Sequence, residues 1–167
     1  MLLRFLLFIP VLISVISVAG CGADSDVSVG PLVPVGGTLL VDGEPLDGVV
    51  VNFIPESSEN NRGGAGRTDA TGAFTVTHLN QDQPGLPPGT YTLSYSRMRL
   101  LDGSAAPEVK EGEQPDPANI QVESFPPHLT TLNVNLPDNQ VQIPENGITE
   151  LELKISVKSP GGVMPPG

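Results

Sequence analysis

Beyond residue 20 no stretch of this chain sustains the 3.6-residue apolar period of a helix, and that constrains the fold more than any other feature. Nineteen glycines and eighteen prolines in 167 residues cut it into short segments. Within those segments apolar residues recur at every second position, the spacing that puts alternate side chains on opposite faces of a strand. Val35, Leu39 and Val41 share one face over 35–41. After an Asp42-Gly43 turn, Val49, Val51 and Phe53 share a face over 49–54, which stops at Pro55. Phe74 and Val76 point inward over 74–78, and Tyr91, Leu93 and Tyr95 alternate with Thr92, Ser94 and Ser96 over 90–99. Leu132, Val134 and Leu136 continue over 130–136, and Val141-Gln142-Ile143 adds a short piece. Leu151, Leu153, Ile155 and Val157 then alternate with Glu150, Glu152, Lys154 and Ser156. About seven strands joined by turns predict an all-β fold, an antiparallel β-sandwich with Greek-key connections. The strands at 90–99 and 150–157 are expected to be central, burying Tyr91, Leu93, Leu153 and Ile155 with Val51, Phe53 and Phe74. With no tryptophan and one cysteine, the chain lacks the core of an antibody-type domain.

The connections carry their own chemistry. Asp42-Gly43 supplies the positive φ of a tight turn. In Thr68-Asp69-Ala70-Thr71-Gly72, the Asp69 carboxylate is set to accept N–H groups of its own turn while Gly72 turns left-handed. Residues 56–67 and 84–89 read as loops. From Asp102 to Pro127 the pattern dissolves into a proline-rich, acidic insert with Glu108, Glu111, Glu113 and Asp116. Loops this long tend to be functional or disordered, and binding residues concentrate on loops held by rigid scaffolds. Ile120, Val122 and Phe125 are its apolar exception, an edge strand or a recognition patch. The tail over 159–167 is expected to fray.

The N-terminus is built differently. Arg4 precedes an apolar run ending in small residues, the composition of a secretory signal peptide. Pro10, Ser14, Ser17 and Gly20 interrupt a run that a membrane-spanning helix would need unbroken for about 20 residues. Val18-Ala19-Gly20-Cys21 resembles the lipobox of bacterial lipoproteins. That resemblance implies cleavage between Gly20 and Cys21 and a diacylglycerol on the Cys21 thiol, anchoring an exported domain to the membrane of the cell envelope. Gly22 stands where an inner-membrane retention signal has aspartate, so the outer membrane is the expected destination. The organisation is then a signal peptide over 1–20, a tether over 21–34, a sandwich over 35–158 and a tail over 159–167.

The formal net charge is −11, and Arg4 is the only charge before Cys21. An acidic chain without a basic patch is not built to displace counterions from phosphate, which argues against nucleic acid. The partners to expect are the membrane, through the lipid, and an envelope protein or glycan; the chain itself is expected to be a monomer. No disulfide can form within a chain holding one cysteine.

Catalytic motifs are missing. Neither His78-Leu79-Asn80-Gln81 nor His128-Leu129-Thr130-Thr131 carries the glutamate of a zinc peptidase helix, and no Gly-x-Ser-x-Gly elbow occurs. Both histidines read as surface or edge residues, and no enzyme is expected. Asp42 and Asp69 are the candidates for calcium, which takes oxygen ligands from loops. No stretch reproduces an EF-hand loop, and turn capping accounts for both acids, so no cofactor is expected beyond the lipid.

Several segments taken together carry a second resemblance: Val35-Gly36-Gly37-Thr38, Asp42-Gly43-Glu44-Pro45-Leu46, Gly48-Val49-Val50-Val51-Asn52-Phe53, Thr68-Asp69-Ala70-Thr71-Gly72-Ala73-Phe74 and Pro88-Gly89-Thr90-Tyr91-Thr92-Leu93. In this order they resemble the carboxypeptidase regulatory-like family and imply a transthyretin-like sandwich. These are turn and core residues, so the likeness implies a fold rather than a chemistry. It leaves two functional expectations: a binding or scaffolding module of the envelope, or a spacer without a dedicated ligand, with a calcium-stabilised adhesion module as a variant.

Overall fold

The computed structural model describes residues 30–57, 61–107, 114, 116–131 and 139–158. Among them twelve strands and one short helix follow in order: β1 (Val35–Val41), β2 (Glu44–Pro45), β3 (Val50–Pro55), β4 (Gly64–Arg67), β5 (Ala73–Thr75), β6 (Thr77–His78), β7 (Gln83–Pro84), β8 (Gly89–Ser96), β9 (Met98–Leu100), β10 (Gln121–Glu123), α1 (Pro127–Thr130), β11 (Gln140–Ile143) and β12 (Ile148–Ile155). The fold is all-β, with more strands than the seven expected because several are only two or three residues long.

One sheet is centred on β1. Asp42 and Gly43 both have positive φ, 50° and 91°, a two-residue turn whose twist matches that of the strands it joins. It folds β1 back onto β2, pairing Val41 with Glu44, while β5 pairs antiparallel with the N-terminal half of β1. On the other edge β12 runs parallel to β1, from Val35 opposite Ile148 to Val41 opposite Ile155. This one parallel pair departs from the wholly antiparallel expectation, because alternation reports which face is buried and not which way a strand runs. The register slips between Val35 and Gly37. A Cβ on Gly37 would lie 1.9 Å from the Leu151 carbonyl oxygen, so the close approach of β12 requires glycine there.

The second sheet runs β11-β8-β3-β4-β6-β7, antiparallel throughout. Two readings are corrected here. The segment over 49–54 does not return beside β1; two residues complete that hairpin and β3 crosses to the opposite sheet. Gly64–Arg67, read as part of a polar loop, is a strand. Its glycines let it lie close to its neighbours: a Cβ on Gly64 would sit 2.5 Å from the Thr77 carbonyl oxygen. The single strand expected over 74–78 is divided between the sheets, with β5 on β1 and β6 on β4. Val76 makes the corner, its N–H donating to Val35 O at 2.9 Å and its carbonyl accepting from Gly85 N at 2.7 Å.

The buried residues of both sheets form one hydrophobic cluster. Phe53 of β3 and Phe74 of β5 meet across the sandwich with ring centroids 6.2 Å apart, and Phe53 meets Tyr91 at 6.4 Å. Tyr91, Leu93, Leu153, Val51, Phe53 and Phe74 are buried as expected. Strand β8 is central, between β11 and β3, but among the described residues β12 pairs only with β1, and Ile155 is only half-buried. Thr92 and Ser94, which alternation puts outside, are buried too. Register sets Thr92 between Ile54 and Gln140, and Ser94 beside Asn52.

The proposed tether ends early. Val33 and Leu86 exchange both backbone hydrogen bonds, and Pro34 O accepts from Ile148 N, so the domain is already engaged before residue 35. Within the insert, β10 pairs with β9 and Phe125 enters the core beside Leu129 of α1. Thr130, the expected start of a strand over 130–136, closes that helix. Residues 132–138, the whole of 108–113 with Glu108, Glu111 and Glu113, and the tail over 159–167 lie outside the described residues, as does everything before residue 30.

Candidate functional site

Cys21 and Gly20 lie outside the described residues. The other expected site residues are scattered. Asp69 Oδ1 accepts from the N–H groups of Thr71 and Ala73, at 2.8 and 3.0 Å, and from the Thr71 hydroxyl at 2.7 Å. Those hydrogen bonds hold its carboxyl below the ordinary range. Asp42 Oδ1 accepts from the Ser156 hydroxyl at 2.6 Å. Among the described residues no three His, Cys, Asp or Glu side chains converge as metal ligands would. In the candidate recognition patch Ile120 and Val122 are exposed, but Phe125 is buried. Phe125 is a core residue, and the three do not form one surface.

Two polar networks, one buried and one half-exposed, escaped the pattern reading. The first corrects the histidines. His78 has no solvent exposure, and its Nε2 lies 3.3 Å from Asn61 Oδ1. Asn61 Oδ1 also accepts from Gly63 N at 2.8 Å, its Nδ2 donates to the Tyr91 hydroxyl at 2.9 Å, and that hydroxyl donates to Pro87 O at 2.7 Å. Every bond in this chain is satisfied when His78 carries its proton on Nε2, which leaves a bare Nδ1 buried without a partner among the described residues. Desolvation holds the imidazole below its ordinary pKa. Burial raises the Tyr91 phenol, against a smaller opposing effect of Asn61. The signal was present: His78 continues the inward period of Phe74 and Val76, and its polarity masked it. His128 is half-buried, with Nε2 3.2 Å from Ser156 O.

The second network joins the loop before β3 to the β8–β9 junction. Asp47 O accepts from Arg97 Nε and Arg99 Nη2 at 3.0 and 3.1 Å, and Asp47 Oδ1 accepts from both guanidinium groups at 3.2 Å. Burial works against ionising Asp47, but the charge and hydrogen bonds of Arg99 and Arg97 outweigh it, and its pKa falls. Glu123 also falls: desolvation is outweighed by hydrogen bonds from Ser96, Arg97 N and Phe125 N. Gly48 turns the chain beside Arg99 at φ 71°, and a Cβ there would be in ordinary contact with Nη2 at 3.4 Å. Arg99 is buried, and its Nε has no partner among the described residues. It lines a cavity of about 300 Å³ together with Arg67, Gln121, Met98, Ala105, Ala106 and Pro107. The spacing of Arg97 and Arg99, both able to reach one carboxylate, was the available clue.

Two other concavities are formed. A groove of about 830 Å³ runs along the β1 sheet over Gly36, Gly37, Thr38 and Glu150 to Glu152. A smaller one of about 190 Å³ opens at Glu56, Asn61, Thr90 and Tyr91. The arginine cavity joins two guanidinium groups and an amide to a lining that is more polar than apolar. No protein-family model, curated protein or solved structure matches the chain.

Proposed function

We propose that this chain is a lipid-anchored, exported β-sandwich of the bacterial cell envelope, acting as a non-catalytic binding or scaffolding module. One observation carries the reading: Val18-Ala19-Gly20-Cys21 behind an apolar run with a single leading charge. The all-β fold is consistent with it, as is the resemblance of residues 35–95 to carboxypeptidase regulatory-like domains. The non-catalytic part is supported by the sequence, in which neither histidine carries the glutamate of a zinc peptidase helix and no Gly-x-Ser-x-Gly elbow occurs. Gly22 favours the outer membrane. A thiol carrying two or more acyl chains holds a membrane stably, whereas one chain binds reversibly. Mass spectrometry of the mature N-terminus should find Cys21 at residue one with diacylglycerol attached, and Cys21→Ser should leave carbonate-washed membranes. An unmodified Cys21, or a Cys21→Ser protein that still sediments with washed membranes, overturns the proposal.

A further inference from the structure

We propose that the cavity between Arg67 and Arg99 binds a small organic carboxylate: a short-chain acid, or the free C-terminus of a peptide with a modest apolar side chain. This does not depend on lipid anchoring. Three of the chain's eight cationic side chains, Arg67, Arg97 and Arg99, gather at this end of the second sheet in a protein of net charge −11. Asp47 neutralises one of them. Glu123 is committed to Ser96 and to the N–H groups of Arg97 and Phe125. The Asp102 carboxylate is occupied by Ser104. Among the described residues no carboxylate lies within ion-pair distance of Arg67, and Asp47 alone reaches Arg99.

Arg99 is fixed before any ligand arrives. Its Nη2 is tied to Asp47 and its guanidinium lies against Gly48, so little rotamer freedom is lost when an anion binds. A buried, charged and incompletely bonded guanidinium gains more from an oxyanion than a solvated one does. Most of the lining is polar, with Gln121 adding one amide, and Met98, Ala105, Ala106 and Pro107 supply a smaller apolar part that can hold the carbon stem of a carboxylate. At about 300 Å³ the cavity stands at the small end of ligand sites.

The test uses the full chain in detergent, titrated with N-acetyl-leucine, N-acetyl-leucinamide and inorganic phosphate, and reads the Arg99 Nε–H and Gln121 amide signals by NMR. The acid should shift both saturably and the amide should shift neither. Arg67→Gln should weaken the acid about tenfold, as expected for one lost charge-assisted bond, without moving the melting temperature. Ala106→Leu, which fills the cavity and touches neither charge, should abolish binding. Equal affinity for the amide, equal or tighter binding of phosphate, or an unchanged affinity in Arg67→Gln would each overturn the assignment. So would binding seen only after Glu108, Glu111 and Glu113 are changed to glutamine, since the chain's own carboxylates would then be the occupants.

Discussion

Phe53→Ala tests the sandwich itself. The ring has no solvent exposure and meets Phe74 from the opposite sheet and Tyr91 from the adjacent strand. Removing it loses the transfer energy of the ring and leaves a cavity that neighbours anchored in two sheets fill poorly, which costs about 3 to 5 kcal/mol. That is a large share of the stability of a domain held at about 5 to 15 kcal/mol. At about 4 °C per kcal/mol for a domain near this size, the melting temperature should fall by roughly 12 to 20 °C. Thermal unfolding followed by circular dichroism measures this, with Leu101→Ala as control. Leu101 is 70% exposed, and its truncation should stay within about 0.5 kcal/mol. A double-mutant cycle of Phe53→Leu with Phe74→Leu should give a coupling of about 0.5 to 1.5 kcal/mol. If Phe53→Ala melts like the control, β3 is not a core strand. Large single effects with no coupling would mean that the rings are buried but do not face each other, and the packing of the two sheets would be wrong.

Two further outcomes follow from single residues. Gly37→Ala sets a methyl against the Leu151 carbonyl, and backbone cannot give way as a flexible side chain can. Hydrogen exchange should show the amides of β12 losing protection while those of β8 keep theirs; unchanged protection in β12 would refute the close approach. Burial lowers the His78 pKa, so the unfolded chain binds a proton the folded one resists. Stability is therefore complete above the ordinary imidazole value of 6.5 and is lost as pH falls through that range. Denaturant midpoints between about pH 7 and 5 should drop more for the native chain than for His78→Gln; parallel curves would show that His78 is not buried in its neutral form.

What was legible in the sequence is what is local. The Asp42-Gly43 turn, the Asp69 cap closed at Gly72, and the inward face of Tyr91, Leu93 and Tyr95 depend on residues a few positions apart, and all stand as read. What was missed depends on distant partners. Gly64–Arg67 has no apolar side chain larger than that of Ala65 to show a period, yet glycine is what lets it pack between β3 and β6. Phe74 to His78 keeps one alternation while changing sheets, because only backbone partners differ on either side of Val76. The strong alternation of 150–157 shows a buried face and cannot show that nothing among the described residues pairs beyond it. In sequence His78 reads as a surface or edge residue and Arg99 carries no pattern of its own, although each is buried once a partner from 17 or some 50 residues away is in place. The candidate site was therefore the least readable part.

The parallel pairing of β1 with β12 also gives the domain a mechanical character. The chain enters this pair at Val35, beside Ile148, and leaves it at Ile155, beside Val41. Tension applied across the domain from its two ends is thus directed along both strands at once. The rungs between them are loaded in shear and must yield together, whereas a hairpin pulled from its open end unzips one rung at a time. A domain tethered on one side and pulled from the other would resist as a clamp.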